Sequence, residues 1–253
     1  MSAAQLMFAR TATQARRNPG VAFGQPLIPS LLIGTIFTAL FGAVEEIRGF
    51  PLASYDDWVL PGTLFLSAVV GAGFTAAELL RDIETGFIDR VRLTPADPAS
   101  LIAGRASFEG LRAVVAATVI LAIATTRGLT NEGGILGALA VLALTAGFAT
   151  AWNGIFFYSA ITTRNRAAVL GLQPLFFPIM LFSTWFGPRF LMPSWFEQVA
   201  RFNPVTWYLD ATRSILSGHP DWGFIGISVA FIVGLAGTTF SLSISAYRRL
   251  AAE

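Results

Sequence analysis

The chain of 253 residues contains no cysteine and no lysine, and its only histidine is His219. The absence of cysteine excludes disulfides, thiolate zinc sites, iron–sulfur clusters and a thiol nucleophile. The absence of lysine excludes the phosphate-binding loop G-x-x-x-x-G-K-[ST], in which the lysine reaches the terminal phosphates of a nucleotide. His219 stands beside Pro220, where a lone histidine is usually a solvated loop residue rather than a metal ligand or a catalytic base. We therefore expect no metal site and no catalysis by this chain.

Charged residues are also scarce. They make up 13% of the chain, against 54% hydrophobic residues, 22 phenylalanines and a mean hydropathy of +0.64. This composition lies far outside that of soluble domains and predicts a polytopic membrane protein. Crossing the hydrocarbon core takes about 17 to 25 residues of helix, and six apolar runs are predicted to do so: Pro26–Val44, Val59–Leu80, Ser107–Thr126, Ile135–Ile161, Ala167–Gly187 and Trp222–Tyr247.

The first run is expected to be retained as a span. It starts too far along the chain for a removable signal peptide, and no small-residue cleavage site follows a short apolar core. The longest segment between spans, Pro188 to Asp221, has 34 residues, whereas an independent domain usually needs about 50 to 250. No segment between spans has room for a nucleotide-binding domain, so ATP-driven work would need another chain.

The distribution of arginine predicts the orientation, because all 17 basic residues are arginine. With a cytoplasmic N-terminus, the inner segments hold Arg10, Arg16, Arg17, Arg81, Arg90, Arg92, Arg105, Arg112, Arg164, Arg166, Arg248 and Arg249, and the outer segments hold Arg48, Arg127, Arg189, Arg201 and Arg213. This split of twelve to five predicts that both termini are cytoplasmic. The pI of about 9.5 then reflects topology and contact with anionic lipid, and nucleic acid as a partner has no further support.

The N-terminal segment Met1–Gln25 carries three arginines and no acid. In a helical projection one side holds Met7, Thr11, Ala4, Ala15, Phe8 and Ala12, and the other holds Thr13, Arg17, Arg10 and Gln14, with Leu6 misplaced among them. This pattern predicts a modest amphipathic helix that lies in the headgroup plane and ends near Asn18-Pro19-Gly20. A flexible basic leader is the alternative.

Polar groups inside the predicted spans are few. The third span carries Arg105, Glu109 and Arg112, so that i,i+4 and i,i+3 ion pairs are both possible, and we expect them to anchor the topology rather than to gate. Two midspan residues, Asn153 and Gln173, need hydrogen-bond partners in hydrocarbon. They either line a path or join helices.

The longest charged stretch between apolar runs is Arg81–Arg105. Gly86 and the pair Pro95 and Pro98 bracket a short amphipathic piece, Phe87–Leu93, which can form a helix below two spans. By pattern alone this segment is either a solvated topology signal or a rigid projection that docks into a partner.

The segment Glu84 to Arg105, ETGFIDRVRLTPADPASLIAGR, resembles the loop of type-2 ABC transporter permeases, commonly written E-x-G-T-x-E-x-L-x-x-T-P followed by G-[KR]. The matching residues are Gly86, Arg90, Thr94, Pro95, Gly104 and Arg105. Asp89 stands where glutamate is commoner, and Phe87 replaces the usual threonine.

A second segment, Leu191 to Leu216, is similar to the region before the last span in the daunorubicin-resistance branch of that family. The shared residues are Met192, Pro193, Trp195, Asn203, Pro204, Thr206, Asp210, Ala211 and Arg213. The two separated motifs stand in the same order as in the family, on a chain of similar length with six predicted spans, so the resemblance extends over nearly the whole chain.

The resemblance implies a permease subunit of an ABC exporter. It would work as a dimer of membrane subunits, identical or related, with two copies of an ATPase subunit that binds ATP and Mg. In that family the loop forms a coupling helix on the ATPase, and the N-terminal helix contacts the ATPase too. Carried onto this sequence, the coupling residues are Glu84, Gly86, Asp89, Arg90, Thr94 and Pro95.

The resemblance also implies an apolar substrate path and a capped exit. The path residues would be Phe65, Phe74, Asn153, Gln173, Phe176, Phe177, Met180 and Phe182, and the outer gate would hold Trp195, Asn203, Pro204, Asp210 and Arg213. Asp210 and Arg213, at i,i+3, are expected to pair as a structural element rather than to contact substrate.

The expected fold is an all-α membrane protein with six transmembrane helices. An N-terminal amphipathic helix in residues 1–25 precedes a transmembrane domain in residues 26–247, which includes the coupling loop 81–105 and short re-entrant helices on the outer face in residues 188–221. A cytoplasmic tail, residues 248–253, follows.

The expected function is ATP-driven export of a hydrophobic or amphiphilic molecule, drug-like or lipid-like, across a prokaryotic plasma membrane. One alternative is export of a lipid-linked glycan within the same family, which calls for a wider and more polar path. A secondary transporter would show inverted repeats or acidic residues at the midplane, and a membrane scaffold would need no docking motifs.

Overall fold

The computed structural model describes residues 2–86 and 98–252, and these residues are mainly helical. The helices are α1 (Ala3–Arg17), α2 (Gln25–Phe41), α3 (Tyr55–Glu84), α4 (Pro98–Thr126), α5 (Gly134–Thr163), α6 (Arg166–Gly171), α7 (Phe176–Leu181), α8 (Ser194–Arg201), α9 (Pro204–Leu216) and α10 (Trp222–Ala252). Shorter helical turns cover Gly20–Gly24, Gly42–Glu46, Gln173–Leu175 and Arg189–Leu191.

Five helical segments of the described chain are long and apolar enough to cross a membrane: Gly20–Glu46, Tyr55–Glu84, Ala99–Thr126, Gly134–Thr163 and Trp222–Arg249. Of these, α3 is buried along nearly all of its apolar length, whereas α2 and α10 turn most of theirs outward. An apolar surface of this kind is stable only against lipid or another apolar partner. The architecture is therefore a helical membrane bundle built around α3.

The bundle has two ends, which we name by the helices that lie there. The α1 end holds α1, the end of α3 and the start of α4, because Arg10 and Arg105 both bind Asp82. The α9 end holds the start of α3 and the helix α9, because Arg213 binds the carbonyl of Trp58.

The N-terminal segment forms the helix α1, which buries Met7, Thr11 and Ala15. Ser2 caps it: the Ser2 hydroxyl oxygen accepts a hydrogen bond from the Gln5 backbone N–H, and the Gln5 side-chain oxygen accepts one from the Ser2 backbone N–H. This reciprocal pair satisfies two of the orphan donors at the helix start. Leu6 is 54% exposed, as its misplacement in the helical projection suggested.

The prediction of a continuous helix over Ala167–Gly187 is wrong, and this segment is divided into α6, a turn over Gln173–Leu175, and α7. Pro174 and Pro178 lack the amide hydrogen that a continuous helix would need. The segment still runs from end to end beside α3. Val169 packs with residues of the α1 end, and the Trp185 indole donates to the carbonyl of Val59 near the α9 end (3.2 Å).

Candidate functional site

Three ionic side chains join α1, α3 and α4 at the α1 end. The Asp82 carboxylate, near the end of α3, accepts hydrogen bonds from Arg10 Nη2 (2.6 Å) and Arg105 Nη2 (2.5 Å). The side chains of Asp82 and Arg105 are each 2% exposed, while that of Arg10 is 37% exposed. We call this set the Arg10–Asp82–Arg105 triad. It ties the N-terminal helix to both helices that flank residues 87–97.

Close packing brings α1 to the triad. A Cβ atom at Gly104 would collide with the Ala4 carbonyl oxygen and would lie 2.9 Å from the Met7 Cβ. Only glycine at position 104 therefore lets the α1 backbone lie so near α4. The Phe8 and Phe108 rings add an edge-to-face contact with centroids 5.9 Å apart. The adjacent residues Gly104 and Arg105 thus have separate roles, since the first admits α1 and the second binds Asp82.

Part of the predicted coupling surface lies within the described chain. Glu84 is exposed in the last turn of α3, and Gly86 follows with φ of +65°, a conformation that glycine adopts without strain. The Thr85 hydroxyl donates to the Arg81 carbonyl (2.9 Å) and helps to end the helix. Asp89, Arg90, Thr94 and Pro95 lie outside the described residues, as does the predicted short helix Phe87–Leu93.

A second ionic cluster lies inside the bundle. Arg112 donates to Glu109 through Nη2 and through Nε, the latter at 3.1 Å, and both side chains are fully buried. The other Glu109 oxygen accepts from the Thr75 hydroxyl (3.2 Å), and Thr75 accepts from the Asn153 amide. This cluster joins α3, α4 and α5. The i,i+3 pairing of Glu109 is found, whereas Arg105 binds Asp82 of another helix rather than Glu109.

The predicted path residues do not line one cavity. Phe65, Phe176 and Met180 pack together in an apolar core and are at most 4% exposed. Asn153 belongs to the buried cluster with Thr75, and Gln173 Nε2 donates to the Val70 carbonyl (3.1 Å). Both amides therefore join helices.

Two other predicted path residues face outward. Phe177 is 44% exposed and Phe182 is 41% exposed. Phe74 lies on α3, but its side chain is outside the described part of the structure. The predicted path phenylalanines within the described residues thus divide into two groups. Phe65 and Phe176 lie in a closed core, and Phe177 and Phe182 form an outward phenylalanine face.

At the α9 end, Arg213 is held from several sides. It donates to the Asp210 carboxylate (2.8 Å), to the Thr184 hydroxyl (3.0 Å) and carbonyl (2.9 Å), and to the Trp58 carbonyl (3.0 Å). Its guanidinium also lies 3.6 Å from the centre of the Trp58 ring. Burial lowers the pKa of Arg213 to about 10, against the stabilising charge of Asp210, so the guanidinium stays charged at neutral pH.

Asp210 and Asn203 connect this cluster to neighbouring elements. Asp210 also accepts from Arg189 Nη2 (2.7 Å). Asn203 caps α9 by accepting from the Val205 amide (2.9 Å), and its own amide donates to the carbonyls of Ile179 (2.5 Å) and Phe182 (2.8 Å). The predicted gate residues Asn203, Asp210 and Arg213 thus hold α9 against the end of α7 and the chain after it.

The other two predicted gate residues have simpler environments. Pro204 occupies the first turn of α9, where its missing amide hydrogen costs nothing. Trp195, on α8, is 59% exposed and contacts the Phe182 and Phe196 rings. It is placed beside the outward phenylalanine face rather than within the Arg213 cluster.

The sequence did not predict the contact between Asp82 and Arg10 at the α1 end. Asp82 and Arg10 were not singled out as partners, because 72 residues separate them and no spacing rule links a helix to a distant span. No group of three or more histidine, aspartate or glutamate side chains in residues 2–86 and 98–252 is placed to hold a metal ion.

Together, the long apolar helices, the outward apolar surfaces and the buried ionic clusters define a multi-pass helical membrane protein. The family model described as ABC-2 type transporter matches residues 2–217, most of the chain. The protein therefore belongs to the ABC-2 type transporter family.

Three relatives illustrate the range of similarity. The daunorubicin resistance ABC transporter permease protein DrrB1 of Streptomyces coeruleorubidus is 26% identical over 226 residues, covering 88% of this chain and 77% of that protein. The probable doxorubicin resistance permease protein DrrC of Mycobacterium tuberculosis is 22% identical, with 87% and 81% covered. The probable multidrug permease YbhR of Escherichia coli is also 22% identical, and the match spans 79% of this chain but only 54% of that protein.

Proposed function

We propose that this chain is the membrane subunit of an ATP-driven exporter of hydrophobic or amphiphilic molecules, drug-like or lipid-like. The family assignment supports this substrate class, as do the names of the relatives, which refer to daunorubicin, doxorubicin and multidrug transport. In the proposed complex two copies of an ATPase subunit bind ATP and Mg, and a second permease chain, identical or related, completes the membrane part. The complex lies in a prokaryotic plasma membrane.

The observation that carries the proposal is the Arg10–Asp82–Arg105 triad. A force applied to residues 87–97 reaches the bundle through the end of α3 and the start of α4. Asp82 on α3 binds Arg105 on α4 directly, and Arg10 adds α1 to the same contact. Docking of an ATPase at this loop would therefore displace three helices together. Nucleotide binding to the ATPase can favour one membrane state over the other. The size of this preference is the difference between the two states in the free energy of the contacts at this joint.

The proposed topology has six crossings. Five are the long apolar helices, and the sixth is the divided segment from α6 to Trp185, which follows α3 from the α1 end to the α9 end. Short helices α8 and α9 then dip into the outer interface, where Trp195 and Trp207 suit the boundary between lipid and water. Both termini are cytoplasmic in this arrangement.

The proposed substrate route follows the outward phenylalanine face rather than the closed core. Phe177 and Phe182 are available on that face, and Trp195 contacts Phe182 (centroids 6.4 Å apart). In the proposed dimer this face would meet the second membrane chain, so that the route forms between the two. Asn203, Asp210 and Arg213 hold the outer end of the route.

The test is the ATPase activity of the chain purified together with its ATPase subunit. We compare the native protein with Gly86→Trp and Arg90→Glu in the loop and with Asp82→Asn in the triad, with and without hydrophobic drugs. Glu46→Gln, an exposed change at the α9 end, is the matched control. We expect the loop variants to lose association. Asp82→Asn should keep the ATPase bound while drug stimulation falls by about tenfold, because the loss of the ion pair uncouples the three helices.

Two results would count against the proposal. If all variants associate and respond to drug as the native protein does, the loop is not the docking surface, and a transporter that needs no ATPase becomes the better explanation. If Asp82→Asn alone behaves as native, the loop docks but the triad does not carry the coupling.

A further inference from the structure

A shallow pocket of about 40 Å³ lies between α2, α3 and α4 near the α9 end. Its walls include Leu31, Leu60, Ile120 and Ile123, and Ile123 is 37% exposed, so the apolar wall reaches the lipid-facing surface of α4. The pocket therefore has the lining expected for a hydrocarbon chain.

At the polar end of the pocket, one acid and one base are each hydrogen-bonded to a threonine of α2. The Thr38 hydroxyl donates to Asp56 Oδ1 (2.5 Å), and Arg127 Nη1 donates to the Thr35 hydroxyl (3.4 Å). Thr35 and Thr38 are three residues apart on one helix face, with Cβ atoms roughly 5–6 Å apart. A carboxylate and a guanidinium are thus held about one helical turn from each other.

Neither charge is used elsewhere. Within the described parts of the chain, Asp56 and Arg127 take part in no salt bridge. Asp57, another lining residue, is 8% exposed and adds a second carboxylate. With two acids and one base, the pocket end disfavours a head group that is only anionic, and a head group that is only cationic would leave Arg127 without an anion.

We propose that this pocket binds an aminophospholipid from the leaflet at the α9 end. Its phosphate lies on Arg127 and the Thr35 hydroxyl, its ammonium lies on Asp56, and an acyl chain lies along the apolar wall. A phosphoethanolamine head carries these two opposite charges separated by two carbon atoms, which matches the short spacing of the protein groups. The proposal rests on the membrane location of the chain and is independent of the ATP-driven export.

The experiment is native mass spectrometry of the full-length chain in a neutral detergent, titrated with phosphatidylethanolamine, phosphatidylglycerol and a long-chain alkylamine. The variants are Asp56→Asn, Arg127→Gln and the pocket-filling Ala124→Phe. Asn at position 56 can still accept from Thr38, and Arg127 is exposed, so both changes should preserve the fold. Glu46→Gln and Arg48→Gln, exposed charges at the same end, are the controls.

We expect the native chain to bind phosphatidylethanolamine at least about tenfold more tightly than either other ligand, since each charge-assisted hydrogen bond is worth about one such factor. Asp56→Asn and Arg127→Gln should each remove that preference, Ala124→Phe should abolish binding, and the controls should bind as the native chain does.

Three outcomes would overturn the proposal. Equal binding of phosphatidylglycerol and phosphatidylethanolamine would show that Asp56 does not bind the ammonium group. Equal or tighter binding of the alkylamine, lost only in Asp56→Asn, would assign the pocket to cationic amphiphiles. Undiminished binding to all three pocket variants would place the lipid elsewhere on the bundle.

Discussion

At the scale of single residues, the absence of a side chain at Gly71 leaves the space that the Arg112 guanidinium occupies. A Cβ atom at position 71 of α3 would lie within the Arg112 guanidinium. That guanidinium is fully buried and bound to Glu109, so it has little freedom to move aside. The missing side chain at Gly71 is therefore part of the ion-pair site.

We expect Gly71→Ala to lower the free energy of unfolding by about 3 kcal/mol, because displacing Arg112 weakens a buried ion pair. Thermal unfolding of the detergent-solubilised chain measures this change. Gly226→Ala on α10 is the control, since nothing lies within 4 Å of a Cβ atom there, and it should change stability by no more than about 1 kcal/mol. Equal effects of the two substitutions would contradict the packing argument.

The buried pair itself gives a second prediction at this scale. Glu109→Gln or Arg112→Met alone should destabilise the chain by about 3–5 kcal/mol, because each leaves one charge buried without its partner. The double variant should recover much of the loss, since two neutral side chains of similar size leave no unpaired charge. A double-mutant cycle of unfolding free energies measures the coupling, and additive losses would show that the two residues do not act as a pair.

At the scale of elements, the divided segment between α5 and α8 depends on contacts far along the chain. Its two prolines were a signal in the sequence, and they account for the interruption that hydropathy alone did not predict. The sequence could not show how the carbonyls at the end of α7 are satisfied. Asn203 supplies two donors to Ile179 and Phe182 from the start of α9, about 20 residues later in the chain.

We expect Asn203→Ala to destabilise the chain by about 2–3 kcal/mol, because it removes a helix cap and leaves two carbonyls without donors. The matched control is Asn165→Ala, which removes only the cap of α6 at an exposed position, and should cost about 1 kcal/mol. Hydrogen exchange gives the location: residues 179–182 should lose protection in the first variant only. Unchanged exchange there would show that Asn203 acts through α9 alone.

At the scale of the whole molecule, composition was sufficient to predict a polytopic helical membrane protein, because five apolar helices of spanning length are indeed present. The helical projection also predicted the buried side of α1. The Arg10–Asp82–Arg105 triad was not predictable, since it joins residues of three helices whose spatial order no local pattern encodes. For the same reason the phenylalanines could be recognised by type, while their division between core and outward face needed the packing of α3, α5 and α7.

The orientation leads to a prediction that the cysteine-free chain makes simple to test. Single cysteines at Arg48 and His219 should react with a membrane-impermeant maleimide on intact spheroplasts, and cysteines at Arg16 and Arg249 should react only after permeabilisation. The reason is the twelve-to-five arginine split. The native chain, which has no thiol, is the blank. The reverse pattern would invert the topology, and labelling of Arg16 and Arg48 positions from the same side would remove the first crossing.

The continuous course of α3 has a mechanical consequence. From Pro61 to Glu84 the helix is about 36 Å long, at 1.5 Å per residue, and its last turn carries Asp82. Proline is a common site of helix bending, so Pro61 can serve as the pivot of a lever whose long arm ends at the triad. A tilt of only about 5° about this pivot would swing Asp82, and with it α1 and the start of α4, sideways by about 3 Å over an arm of that length.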